Sequence, residues 1–101
     1  MYVGILITRL RIDQAYSLKD KRQVVRSLTD RLRKRHNISI AEVGDRDLWN
    51  IADLGVSMVC GARAPIVKAF EDIETSLFDD FRFECMYVNI DIEQEEDIHG
   101  I

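Results

Sequence analysis

The spacing of apolar residues along the chain predicts six secondary-structure elements. Apolar and β-branched residues that cluster or alternate predict strands over residues 2–12, 38–43, 51–61 and 81–93. Two other segments repeat apolar residues at the helical period. The first helix is predicted over residues 18–36, with Ser17 as its N-cap, and the second begins near Pro65.

The order βαββαβ predicts an α+β fold of the ferredoxin-like type. Two right-handed crossovers then interleave four strands into one antiparallel sheet with both helices on one face. The first strand lies between the third and the fourth. With 101 residues, we expect a single domain over residues 1–93, followed by a short acidic tail over residues 94–101.

Alternation within the strands predicts which residues face the helices and which face away. The helix-facing set includes Leu6, Leu10, Leu54, Val56 and Met86. The opposite face is too apolar to be left in water, which predicts a homodimer formed through it. The alternative is that the tail or a loop of the same chain covers it. The residues predicted on that face are Val3, Ile5, Ile7, Val59, Phe83, Cys85 and Tyr87.

The net charge of −4 conceals an uneven distribution along the chain. Residues 1–46 carry a balance of +6 and residues 47–101 a balance of −10. The first helix holds eight Lys or Arg residues, and four of them lie within about 60° on a helical wheel. Cations in such a row can follow a phosphate backbone, whereas the alternative is a solvated face paired with acidic residues. The four are Lys19, Arg22, Arg26 and Arg33.

Other residues with possible chemistry favour structural interpretations. Cys60 and Cys85 are interpreted as free thiols in apolar surroundings, and no metal site or cofactor is predicted. Asp45 and Asp47 are interpreted as turn residues rather than a catalytic pair, and Trp49 as a core or hinge plug. We find no nucleophile motif or phosphate-binding loop, so we expect a protein that is not an enzyme.

Three segments together resemble the YlxP-like family of small bacterial proteins, which has no assigned function. They are residues 17–28 (SLKDKRQVVRSL), 41–43 (AEV) and 47–49 (DLW). The resemblance implies a ferredoxin-like fold and a bacterial cytoplasmic protein whose genes often lie beside those for translation initiation and ribosome maturation factors. It supplies no catalytic residues. The motif positions present here include Ser17, Lys21, Asp47 and Trp49.

These observations predict a noncatalytic RNA- or ribosome-associated binding factor that uses its basic first helix. The alternative is a structural or regulatory homodimer formed through the open sheet face, without nucleic-acid binding. No segment has the run of about 18 or more apolar residues that a membrane-spanning helix needs, so no membrane partner is predicted. We expect the protein in the cytoplasm.

Overall fold

The computed structural model describes residues 1–96 and has the predicted order of elements. In chain order the elements are β1 (Tyr2–Ile12), α1 (Leu18–Arg35), β2 (Ser39–Val43), β3 (Ile51–Cys60), α2 (Ala64–Asp79) and β4 (Phe83–Gln94). The four strands form one antiparallel sheet in the order β2-β3-β1-β4. Both helices lie on one face, where α1 contacts β2 and β3, and α2 contacts β3 and β4. The predicted ferredoxin-like fold is therefore confirmed.

Helix α1 begins at a cap that the sequence predicts. The hydroxyl of Ser17 accepts a hydrogen bond from the N–H of Asp20 at 3.1 Å. The Asp20 carboxylate in turn accepts one from the N–H of Tyr16 at 3.0 Å. This reciprocal arrangement satisfies one of the free N–H groups of the first turn and also fixes the chain that enters the helix.

The core lies between the sheet and the two helices. Burying each large apolar side chain there contributes roughly 1.5–3 kcal/mol. The helical period of α2 predicts its buried side correctly, because Ile66, Ala69, Phe70, Ile73 and Leu77 are all buried. The largest apolar side chains that join them are Leu6, Leu10, Leu28, Leu32 and Leu54.

A β-bulge in β4 overturns part of the predicted face assignment. Arg9 is paired with Tyr87 but Leu10 with Cys85, so Met86 is the extra residue. Because side chains alternate with a period of two, one extra residue reverses the faces of all residues before it. Phe83, predicted on the open face, is instead buried in the core, and Cys85 packs against the core. Met86, predicted to face the helices, is exposed.

The two cysteines are free thiols, as the sequence predicts. Cys60 pairs with Tyr2 at one end of β1, whereas Cys85 pairs with Leu10 near the other end. Both thiols are half-buried.

The segment predicted as an acidic tail begins inside the sheet. Gln94 is the last residue of β4 and pairs with Tyr2, and the N–H of Glu95 donates to the Met1 carbonyl at 2.7 Å. The rest of the predicted tail, residues 97–101, lies outside the described residues. Within residues 1–96, no helix is long and apolar enough to cross a membrane.

Gly4 allows α2 to pack directly on β1, and we predict that enlarging it destabilises the protein. A Cβ atom at this position would lie 2.8 Å from Phe70 Cε2 and would also overlap Ile66. We expect Gly4→Ala to lower the free energy of unfolding by about 1–3 kcal/mol, measured by urea denaturation. Gly61→Ala is the control, because its Cβ would meet no atom within 4 Å. Equal stability of the two variants would contradict this packing.

Candidate nucleic-acid interface

Three cations lie in a row on the exposed side of α1. Lys19, Arg22 and Arg26 are exposed, and none of their side chains forms an ion pair or hydrogen bond with another residue within 1–96. We call these three residues the cationic row. It extends over two helical turns, about 10 Å at 1.5 Å per residue.

Arg33, the fourth cation predicted for this site, is bound to its own fold. Its guanidinium donates to the Ile40 carbonyl at 2.7 Å and lies 3.5 Å from the carboxylate of Asp30. Asp30 also interrupts the row on the helix surface, since it lies four residues after Arg26. The structure therefore brings together three of the four predicted residues as unpaired cations.

Most other cations of α1 are also occupied by intramolecular contacts. Arg31 lies 3.5 Å from the carboxylate of Asp80, and Arg35 lies 3.0 Å from that of Asp72. Lys34, in the last turn, is exposed and has no partner among the described side chains. The solvated-face alternative, with its acidic partners, thus describes the second half of the helix better than the first half.

The connection between α2 and β4 is fixed beside α1 by a charged cluster. Asp80 accepts hydrogen bonds from the Arg82 guanidinium, at 2.6 Å from its Nη2, and Arg82 also donates to the Ser27 hydroxyl at 2.9 Å. The hydrogen bond from Arg82 is the largest cause that holds the pKa of Asp80 below its usual value. The stabilisation from this carboxylate is therefore present above its unfolded-state pKa and is lost as the pH falls through the lowered pKa.

Lys21 is fully buried although it lies in the most basic segment of the chain. Its ammonium group donates to the carbonyls of Arg46 at 2.8 Å and Ile51 at 3.1 Å. It also lies 2.9 Å from the Oε2 atom of Glu42, which is 15% exposed. Lys21 and Glu42 thus form an ion pair in which the Oε2 atom accepts no hydrogen bond. Lys21 thereby joins α1 to β2 and to the β2–β3 connection.

The sequence identifies Lys21 only as a motif position, yet a signal for its burial was present. Lys21 lies between Leu18 and Val25 in the 18, 21, 25, 28, 32 series that faces the core. A lysine at such a position needs buried acceptors, because an unpaired ammonium is expensive to remove from water. Nothing in the sequence pattern identifies those acceptors as the carbonyl of Arg46 in the β2–β3 connection and that of Ile51 at the start of β3, 25 and 30 residues away.

The β2–β3 connection is a tight polar loop that carries two exposed apolar residues. Gly44 has φ 71°, a left-handed conformation that favours glycine, and the N–H of Asp47 donates to Asp45 Oδ1 at 3.0 Å. That hydrogen bond supports the interpretation of the two acids as turn residues. Leu48 and Trp49 are 42% and 48% exposed, so the interpretation of Trp49 as a core plug is wrong.

No cluster of potential metal ligands occurs within the described part of the chain. A group of three or more His, Cys, Asp or Glu side chains with suitable placement is absent from residues 1–96. The side chain of Asp47 makes no contact with a described polar group.

The sheet face that points away from the helices carries the other predicted surface. We call it the open face. Ile5 and Ile7 of the central strand β1 are exposed there, Val3 pairs with Val59, and Tyr87 pairs with Arg9. Five of the seven residues predicted on this face therefore lie there, whereas Phe83 and Cys85 lie on the side of the core.

Comparison with known proteins identifies relatives for this sequence. The family model described as "Protein of unknown function (DUF503)" matches residues 3–90. The chain is similar to the "Uncharacterized protein YlxP" of Bacillus subtilis (strain 168), with 32% identity over 71 residues that cover 70% of this chain and 77% of that protein. These matches confirm the predicted resemblance. The structure resembles "De novo designed protein Foldit4" with a TM-score of 0.56 and 10% identity, over 95% of this chain and 100% of that one, a likeness of fold alone.

We predict that removing the Lys21 ammonium destabilises the protein strongly. Lys21→Met leaves the Glu42 carboxylate without its ion-pair partner and two carbonyls without their hydrogen-bond donor. We expect the free energy of unfolding, measured by urea denaturation, to fall by about 3–5 kcal/mol. Lys19→Met, two residues away on the exposed side, should change it by less than about 0.5 kcal/mol. The double variant Lys21→Met/Glu42→Leu should recover part of the loss, because neither buried charge remains. Equal stabilities of Lys21→Met and Lys19→Met would contradict the role of this contact.

Proposed function

Because this chain belongs to the DUF503 family of proteins of unknown function, we infer its function from its surface and propose that it is a noncatalytic, cytoplasmic RNA-binding factor. The cationic row contacts RNA phosphates. The observation that carries the proposal is that Lys19, Arg22 and Arg26 are exposed without a partner among the described residues, whereas Arg31, Arg33 and Arg35 on the same helix are paired. Charges left unpaired in one row are available to an external anion.

The shape and chemistry of the row favour a polyanion. Three cations spaced over about 10 Å meet several phosphates of one backbone more readily than a single small anion. Arginine also matches the geometry of phosphate oxygens, because its guanidinium donates two parallel hydrogen bonds. The row holds anions by charge and hydrogen bonding and needs no chemical step. The gene neighbours implied by the YlxP-like resemblance support ribosomal RNA as the partner.

The first test is a pair of double charge reversals. We expect Arg22→Glu/Arg26→Glu to weaken binding to a labelled RNA hairpin with a single-stranded extension by at least about tenfold, measured by fluorescence anisotropy at 50 mM salt. Two lost phosphate contacts should also reduce the slope of log K against log salt by about 1.4.

The matched control is Arg63→Glu/Lys68→Glu, which changes the net charge by the same amount. Both of these cations are exposed and have no partner among the described residues, but they lie at the start of α2, away from the row. The control should retain most of the affinity. Equal losses in the two double variants, or binding without a salt slope, would reject the proposal.

The open face favours a second candidate function, a homodimer. Ile5 and Ile7 are 45% and 42% exposed although they lie on a central strand, and Val59 is 56% exposed beside them. Contiguous apolar surface of this kind marks an interface. A second copy that packed on this face would leave the cationic row accessible, because α1 lies on the other side of the sheet.

Light scattering after size-exclusion chromatography tests the dimer. We expect the wild-type protein to have the mass of a dimer at high concentration and Ile5→Lys/Ile7→Lys to have the mass of a monomer. Phe81→Lys is the control, because Phe81 is fully exposed but lies outside the sheet. A wild-type protein that stays monomeric at every concentration would exclude this function.

A further inference from the structure

Exposed aromatic residues concentrate at one end of the sheet. This end holds the three connections that follow β1 and β2 and precede β4, over residues 13–17, 44–50 and 80–82. Half of the eight aromatic residues of the chain are exposed in or next to these connections. We call this region the aromatic end, and its members are Tyr16 (84% exposed), Trp49 (48%), Phe78 (60%) and Phe81 (100%).

The aromatic end adjoins the start of the cationic row. Tyr16 lies three residues before Lys19, and its N–H is held by the Asp20 carboxylate. The loop that carries Trp49 is attached to the first turn of α1 because Lys21 donates to the carbonyl of Arg46 within the loop and to that of Ile51 directly after it. The same loop is tied to β1, because the N–H of Ile12 donates to the carbonyl of Asn50 at 2.8 Å. Tyr16 and Trp49 are therefore presented by loops anchored at the end of α1 where the row begins.

Most acidic groups at this end are occupied by intramolecular contacts. Asp80 is held by Arg82 and Arg31, and Arg11 contacts both Asp13 and Glu84. The carboxylate of Asp20 accepts a hydrogen bond from the backbone N–H of Tyr16, and that of Asp45 accepts one from the backbone N–H of Asp47. The groups without a side-chain partner among the described residues are Asp47 and Asp79 on the acidic side, and Arg46 with the three residues of the row on the basic side.

We propose that the RNA bound by this protein is held at unpaired nucleotides, whose bases stack on Trp49 and Tyr16 while their phosphates contact the cationic row. This inference rests on the proposed function and names its substrate class. Exposed aromatic side chains next to exposed cations are the combination that binds single-stranded nucleic acid, because stacking on an aromatic ring requires a free base face. In an RNA duplex those faces are covered by neighbouring bases.

Trp49 is the single tryptophan of the chain, so its fluorescence reports directly on this contact. We expect a 12-nucleotide single-stranded RNA to quench the fluorescence of the wild-type protein and a 12-base-pair RNA duplex to leave it nearly unchanged. In anisotropy measurements, Trp49→Ala should weaken binding of the single strand by about tenfold or more. Trp49→Phe should retain most of the wild-type affinity for the single strand, because phenylalanine keeps an aromatic face on which a base can stack.

Tyr87→Ala is the matched control. Tyr87 is also an exposed aromatic residue, but it lies on the open face rather than at the aromatic end. This variant should bind the single strand as the wild type does. Thermal denaturation of each variant confirms that it is folded before its affinity is compared.

The outcomes separate this inference from the proposed function. If Arg22→Glu/Arg26→Glu loses affinity but Trp49→Ala binds the single strand as wild type does, the cationic row binds RNA and the stacking inference is overturned. If neither RNA binds and polyglutamate quenches Trp49 instead, the aromatic end takes an acidic protein segment, which overturns both proposals. Quenching by the duplex equal to that by the single strand also overturns the inference.

Discussion

Removing the ammonium group of Lys21 from water imposes a constraint that organises one whole end of this fold. A buried cation persists only where acceptors surround it. Here they come from three further parts of the chain: Glu42 on β2, the carbonyl of Arg46 in the β2–β3 connection and the carbonyl of Ile51 at the start of β3. Three elements are thereby fixed in one arrangement. The β2–β3 connection is held against α1, so the loop that carries Trp49 lies beside the first turn of the helix that carries the cationic row.

The positive charge on the exposed surface of α1 depends on which of its cations have no partner within the fold. Along the sequence the first 46 residues have a balance of +6, but the structure divides these cations into separate groups. Lys21 is buried and paired with Glu42. Arg31, Arg33 and Arg35 are paired with acidic residues of the same domain. Apart from Lys34 in the last turn, the cations that remain available to an external anion lie in the first half of the helix, next to the loops that carry Tyr16 and Trp49.

Periodicity in the sequence predicts the elements of this fold well, because both helices and the two central strands bury residues at their own period. The bounds predicted for the strands and the first helix, and the predicted start of the second helix, differ from those of the structure by two residues or fewer. The errors occur where a single contact or a single extra residue decides the outcome. The bulge at Met86 reverses the side on which Phe83 lies, and the carbonyl of Ile40 binds Arg33. The extra residue is apolar and continues the alternation of Val88 and Ile90, so hydrophobic spacing does not reveal the bulge, and it carries no information about a carbonyl acceptor. Trp49 is exposed on a loop whose backbone is held by Lys21 at Arg46, and composition alone reveals neither feature.

A charged, hydrogen-bonded Lys21 holds α1 and the β2–β3 connection together in this fold. Nitrogen-15 NMR of the lysine ammonium groups tests it most directly, because buried and hydrogen-bonded ammonium protons exchange slowly with water. We expect a resolved Lys21 ammonium signal at neutral pH, with nuclear Overhauser contacts to Glu42 and Arg46, and no comparable signal from Lys19. Exchange at Lys21 as rapid as at Lys19 would contradict the account.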